Sequence, residues 1–150
     1  MKYSKGCKSC MSNKGTKRIS PAIPIYKGKY WIVEHAYPCG MKGWLVMLPK
    51  RHVESLHELS DSENREFGVI FPKIIKILHK ETDSEKEYIF QIAKAQGFKH
   101  IHFHIVSKDR KLPEKYEGVK IFGLKNDLKT LNKTEIIKFC DKMRKRLKKR

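Results

Sequence analysis

His100-Ile101-His102-Phe103-His104-Ile105-Val106 sets three of the chain's seven histidines in strict alternation with apolar residues. Successive side chains of an extended strand point to opposite faces. The spacing therefore predicts a strand from His100 to Ser107 with His100, His102 and His104 on one face and Ile101, Phe103 and Ile105 on the other. Same-face neighbours then stand roughly 7 Å apart. Imidazole combines nucleophile, general acid/base and metal ligand in one group that titrates near neutral pH. An internal row backed by an apolar face reads as a place for chemistry, ahead of the alternative of a half-solvated strand whose polar face happens to be histidine.

The strand before the row is Tyr88 to Ala93, joined to it through Lys94 to Lys99 around Gly97. That loop is too short for a crossover, so the two strands are expected to be antiparallel neighbours. Further back, Trp44-Leu45-Val46-Met47-Leu48 is a continuous apolar run between Gly43 and Pro49, the pattern of a strand covered on both faces. Pro24 to Tyr26 and Tyr30 to His35, around Lys27-Gly28-Lys29, predict a hairpin. Lys50 to His57 reads as a helical turn. Ser60-Asp61-Ser62-Glu63 has capping-box spacing, followed by Phe67, Ile70, Phe71, Ile74, Ile77 and Leu78 at helical period. A helix is expected from about Asp61 to Lys80, kinked or divided at Pro72. Val119 to Phe122 reads as a short edge segment. Asn132 to Glu135 begins a last helix with Ile136, Cys140, Met143 and Leu147 as its one apolar stripe.

At 150 residues the chain has the length of one domain that builds a core without disulfide staples. No internal repeat, signal-peptide core or apolar run near membrane-spanning length is visible, so the expectation is a cytoplasmic protein. The formal net charge is +18, and seven of the last nine residues, within Lys142 to Arg150, are basic. Such a balance attracts polyanions, including nucleic acid, but a lysine-rich composition that merely solvates the surface gives the same number. Cys7 and Cys10 form a Cys-x-x-Cys pair, either redox-active or half of a metal site. Their turn-rich, polar surroundings suit a zinc knuckle better. His57, His79, Cys39 and Cys140 read as solvated or structural, and Tyr26, Tyr30 and Trp31 as core.

With Gln96 just upstream and Cys-x-x-Cys at the start, the alternating row resembles the signature of the histidine-triad (HIT) family. Leu45 to His52 resembles that family's apolar strand and Pro-Lys-x-His segment, and Leu59 to Glu63 its helix start. The resemblance implies an α+β, HIT-like fold: a single domain with an antiparallel sheet flanked by helices. On this reading residues 1–130 are expected to form the HIT-like domain, with 1–20 a zinc-knuckle-like loop, and 131–150 a basic helix packed on it. It further implies a nucleotide hydrolase or nucleotidyl transferase acting at an α-phosphate, usually as a homodimer. On that basis His102 is the expected nucleophile, passing through a nucleotidyl-histidine. His100 and His104 are its catalytic partners, and Gln96, Gly97, Lys99 and His35 contact the nucleotide or its phosphates. Cys7, Cys10, His52 and His100 are the expected ligands of a structural zinc ion. The chain departs from the pattern in having Gly43-Trp44 where family hydrolases have a further histidine, His35 with Glu34 beside it at the ribose-contacting place, and Gly97 where Ser or Thr is common. Two other readings compete: a nucleotide- or RNA-binding module using the basic tail, and a metal hydrolase using the triad as a three-histidine site.

Overall fold

A computed structural model describes residues 3–93 and 95–149, so Met1, Lys2, Lys94 of the predicted loop and Arg150 of the basic tail lie outside the described residues. A short helix α1 (Lys8–Lys14) is followed by strands β1 (Tyr26–Lys27), β2 (Trp31–His35) and β3 (Trp44–Pro49). Helix α2 (Asp61–Thr82) leads into β4 (Lys86–Gln91) and β5 (Phe103–Lys108), and α3 (Leu124–Asp127) and α4 (Lys133–Lys148) complete the chain. The five strands form one antiparallel sheet in the order β1-β2-β3-β5-β4, an α+β architecture.

Register decides which side chains share a face. Glu34 pairs with Val46, Val46 with His104, and His104 with Phe90, so these four lie in one row across the sheet. One residue along, His35, Leu45 and Ile105 form a row on the opposite face. That second face carries the main core. Trp31, Val33, Leu45, Met47 and Ile105 are buried there against Ile70, Ile74 and Leu78 of α2 and Ile136, Phe139, Cys140 and Met143 of α4. On the histidine face, Trp44 and Val106 pack under Ile121 and Leu124. The expected edge segment at 119–122 is instead part of a 3-10 helix, Gly118–Gly123, that covers this end of the sheet with Ile121 fully buried. A short apolar run satisfies itself equally well as one helical turn over a core as on an edge.

Helix α2 begins as its capping box predicts. Ser60 accepts from the Glu63 N–H while the Glu63 carboxylate accepts from the Ser60 N–H. The helix runs unbroken through Pro72 instead of dividing there. Pro72 and Gly68, whose carbonyl loses its donor, are both exposed, so that oxygen is open to solvent and no side chain at 68 crowds the ring. Glu63 does more than cap. Its carboxylate takes a forked pair of bonds from Arg51 at 2.7 and 2.8 Å, and its carbonyl accepts the Trp31 indole N–H at 2.8 Å. Glu66 one turn on accepts the Tyr30 and Trp31 N–H groups, and a Cβ at Gly28 would collide with that carboxylate and with the Tyr26 ring. The Arg51 bonds, with help from Ser60, hold the Glu63 carboxyl below its ordinary pKa. Glu63→Gln is expected to cost about 2–4 kcal/mol. A depressed folded pKa means that this stabilisation is complete above the unfolded carboxylate value and is lost as pH falls through the folded one. Urea titrations should therefore show the wild-type advantage shrinking below about pH 4.5; an advantage constant from pH 3 to 7 would refute the assignment.

Helix α4 opens with its own capping box, Asn132 with Glu135, and buries Phe139 beside the three predicted positions Ile136, Cys140 and Met143. Its basic residues are not all solvated. Lys142 and Arg146 both pair with the buried carboxylate of Glu81, Lys142 at 2.6 Å, and Arg144 donates to the Ile23 carbonyl. Three of the tail's cations thus fasten α4 to the body, leaving Lys145, Lys148 and Lys149 exposed on it. Among the described residues no helix is long and apolar enough to cross a membrane.

Candidate active site and metal centre

The strand carrying the histidines starts later than its alternation predicts, at Phe103 instead of His100. Pairing to both neighbours stops there: β4 ends with Gln91 opposite Phe103, and β3, whose last partner on β5 is Met47 opposite Phe103, runs on only to Pro49, which has no N–H to give. Freed from the ladder, the Ile101 N–H donates to the Val53 carbonyl at 2.8 Å. His100 turns into a different environment from His102 and His104, so the row of three is divided.

His102 and His104 remain neighbours, ring centroids 4.9 Å apart, on the wall of a cavity of about 470 Å³. His102 is nearly buried, and its Nδ1 lies 2.8 Å from the His100 carbonyl oxygen. A carbonyl only accepts, so neutral His102 carries its proton on Nδ1 and keeps the Nε2 lone pair. The cavity floor continues through Val46 to Glu34, and its walls include Ser9 and Ser12 of α1, Ala95 and Phe98 of the loop before the triad, and Tyr37 to Cys39. Glu34 is buried and salt-bridged to Arg18 at 2.7 Å. Burial pushes its carboxyl pKa up, and the Arg18 guanidinium opposes that shift.

His35 is differently placed from expectation. It also borders the cavity, but its ring belongs to the helix side of the sheet, 5.7 Å from Phe139, with Nδ1 2.7 Å from the Ala36 carbonyl and Nε2 accepting the Gly43 N–H. Both nitrogens are committed to backbone, and burial lowers its pKa. The β2 residue on the histidine face is its neighbour Glu34. Because all five residues of β2 are buried, its sequence has no in–out alternation from which to read the register.

The loop expected to cradle phosphate is divided as well. Gln96 is exposed, and from the described residues of this loop Ala95 and Phe98 line the large cavity. Gly97 and Lys99 border a separate hollow of about 280 Å³ with Lys5, Cys7 and His52. Gly97 has φ +80, and its carbonyl accepts the Lys8 N–H at 2.9 Å, docking the loop onto α1. Its permissive conformation serves that contact.

Cys-x-x-Cys also departs from the expected loop: it opens a helix. Cys7 is the N-cap of α1, its Sγ accepting the Cys10 N–H, and Gly15 closes the helix in the left-handed region. The small polar residues between them hide a helix that is fixed by its caps. Cys7, Cys10, His52 and His100 are all buried, with one ligand atom from each within 4.8 Å of the others. Cys10 Sγ lies 3.4 Å from His52 Nδ1 and 3.5 Å from His100 Nδ1. A tetrahedral zinc ion with bonds of about 2.0–2.3 Å needs ligands at roughly this spacing. His52 Nε2 is 2.9 Å from the Glu54 carboxylate, which holds the proton on that nitrogen and turns Nδ1 inward. Burial and the nearby His52 push His100 down to about 4, so it is neutral, as a ligand must be. Burial beside Cys7 pushes the Cys10 thiol up to about 11, and a dication is what would let both sulfurs ionise. The residues present fit a closed S2N2 zinc site.

Known proteins share this fold. Residues 9–118 match the family described as scavenger mRNA decapping enzyme C-term binding. An adenosine 5'-monophosphoramidase of Schizosaccharomyces pombe is 33% identical over 67 residues, 45% of this chain and 50% of that protein, so the match spans about half of that relative's length. A histidine triad nucleotide-binding protein from Sulfolobus tokodaii has a similar structure, TM-score 0.70 at 15% identity, covering 94% of this chain and 91% of that one. A Zn-bound histidine triad family protein from Mycobacterium smegmatis gives TM-score 0.66 at 17% identity, covering 94% and 92%. Because the family match runs over more than two thirds of the chain and the fold is that of the triad proteins, this chain belongs to the histidine-triad (HIT) family, in the branch that the decapping-enzyme description covers.

Proposed function

We propose that this protein is a nucleotide hydrolase that works by nucleotidyl transfer to His102. The observation that carries the reading is the His102–His100 carbonyl bond at 2.8 Å, which leaves a nucleophilic Nε2 on a ring lining a nucleotide-sized cavity. Nε2 attacks the α-phosphorus, forming a P–N bond as the bond to the leaving group breaks, and the leaving group takes a proton from solvent as it departs. The positive charge on the phosphorylated ring is steadied by the Nδ1–H bond to the His100 carbonyl. Water then attacks phosphorus, the P–N bond breaks, Nε2 recovers its lone pair, and a nucleoside monophosphate and a proton are released. The relation to a monophosphoramidase and to decapping-enzyme domains supports substrates with a nucleoside 5'-phosphoryl group.

Glu34 stands two strand spacings from His104, roughly 10 Å, enough to hold the nucleoside while the phosphate meets the histidines. It is assigned to the sugar hydroxyls. Glu34→Gln should raise KM about tenfold, the loss of one charge-assisted bond, with kcat nearly kept; unchanged KM in steady-state assays would remove it from the site. A zinc ion held by Cys7, Cys10, His52 and His100 would neutralise two thiolates and cross-link α1 to the segment before β5. The reading is tested by mass spectrometry of the protein mixed rapidly with adenylylated and guanylylated substrates. A nucleotidyl adduct on His102 supports it. Hydrolysis with no adduct, under conditions that trap one on a known histidine nucleophile, would sink it.

A further inference from the structure

Trp44 is fully buried, yet its indole N–H reaches a residue of the cavity wall: Nε1 lies 3.0 Å from His104 Nδ1. Indole nitrogen is a donor only, so Nδ1 must be the acceptor, and a neutral ring that accepts at Nδ1 carries its proton on Nε2. The His104 ring is packed on three sides by aromatic edges, with centroids of Trp44 at 6.0 Å, Phe122 at 5.5 Å and His102 at 4.9 Å. Flipping it would set a ring carbon against the indole N–H and forfeit the hydrogen bond inside a buried cluster. His102 is held the opposite way, its Nδ1–H given to a carbonyl. Two neighbouring imidazoles on one face are thus set in opposite tautomers by partners of opposite kind.

We propose that Trp44 is a positioning residue that locks His104 in the Nε2–H tautomer, making it a hydrogen-bond donor toward phosphoryl oxygens beside the His102 nucleophile. The catalytic part of this rests on the reading of His102 above; the tautomer does not. A histidine at 44, which the triad pattern leads one to expect, both donates and accepts and would leave the His104 tautomer open. Tryptophan removes that freedom, and with it any proton that residue 44 could lend or take during the reaction.

The test is NMR of the full-length protein with 15N-labelled histidine and tryptophan, together with kinetics of Trp44→Phe and Trp44→His. The expected wild-type spectrum has His104 Nδ1 unprotonated, Nε2 protonated, and a coupling across the hydrogen bond from the Trp44 indole nitrogen. In Trp44→Phe the His104 signals should become those of mixed tautomers and kcat should fall roughly ten- to a hundredfold, with KM little changed. Trp44→His, which can again donate to Nδ1, should recover part of kcat. A wild-type His104 protonated on Nδ1 overturns the proposal, as does a folded Trp44→Phe protein with unchanged tautomer and kcat. If Trp44→Phe does not fold, the wild-type spectrum decides by itself. The expected spectrum in a protein that turns over no nucleotide would uphold the tautomer lock and count against the hydrolase reading instead.

Discussion

Alanine at His102 is expected to abolish turnover, by at least about 10⁴-fold, while leaving the fold intact. The ring is bonded to one carbonyl and lies against His104 and Phe98, so its removal takes away no part of the apolar core that α2 and α4 build on the other face. The chemistry has no substitute. His104 presents its proton to the cavity, not its lone pair, if Trp44 holds it as proposed, and His100 turns its ring into the cysteine cluster. Single-turnover assays with circular dichroism on the same samples check the result. A folded His102→Ala protein that keeps more than a few per cent of wild-type kcat would require another nucleophile.

Stripping the metal centre should have the largest effect on stability. Cys10→Ala, or a strong chelator on the wild type, is expected to lower the unfolding midpoint by about 10 °C, as a loss of about 3–5 kcal/mol does in a domain of this size. Cys10 is the hub: its sulfur lies within 3.5 Å of both imidazoles, and α1 has few other attachments, among them the Lys8–Gly97 bond and the Asn13 amide on the Pro49 and Lys50 carbonyls. Elemental analysis should give one zinc per chain. Differential scanning calorimetry of metal-free and metal-loaded protein should then separate; superimposable transitions would show that the four residues hold nothing of structural weight.

The long elements were legible in the sequence because each is announced by local chemistry. Gly43 and Pro49 bracket β3, capping boxes at Ser60 and Asn132 open α2 and α4, and the helical period of Ile70, Ile74 and Leu78 faces the core. The HIT-like α+β fold and the family were readable from the triad and its flanks. What escaped depended on partners far along the chain. The start of β5 is set by where its pairing with β3 and β4 ends, which no alternation within 100–106 can reveal. The face of Glu34 is set by register in a strand buried on both sides, and α1 by a thiol and a glycine at its ends. The 118–123 helix and the Trp44–His104 bond likewise exist only once distant segments meet over the sheet.

The hydrogen bond that orients His102 comes from the main chain of residue 100, and every amino acid owns that carbonyl. Substituting His100 therefore deletes a proposed metal ligand without deleting the acceptor, and the two services assigned to this one residue are separable by mutation in one direction only. A chain without the proposed metal would still hold the His102 ring in the same tautomer, provided that other packing held the backbone at 100 in place.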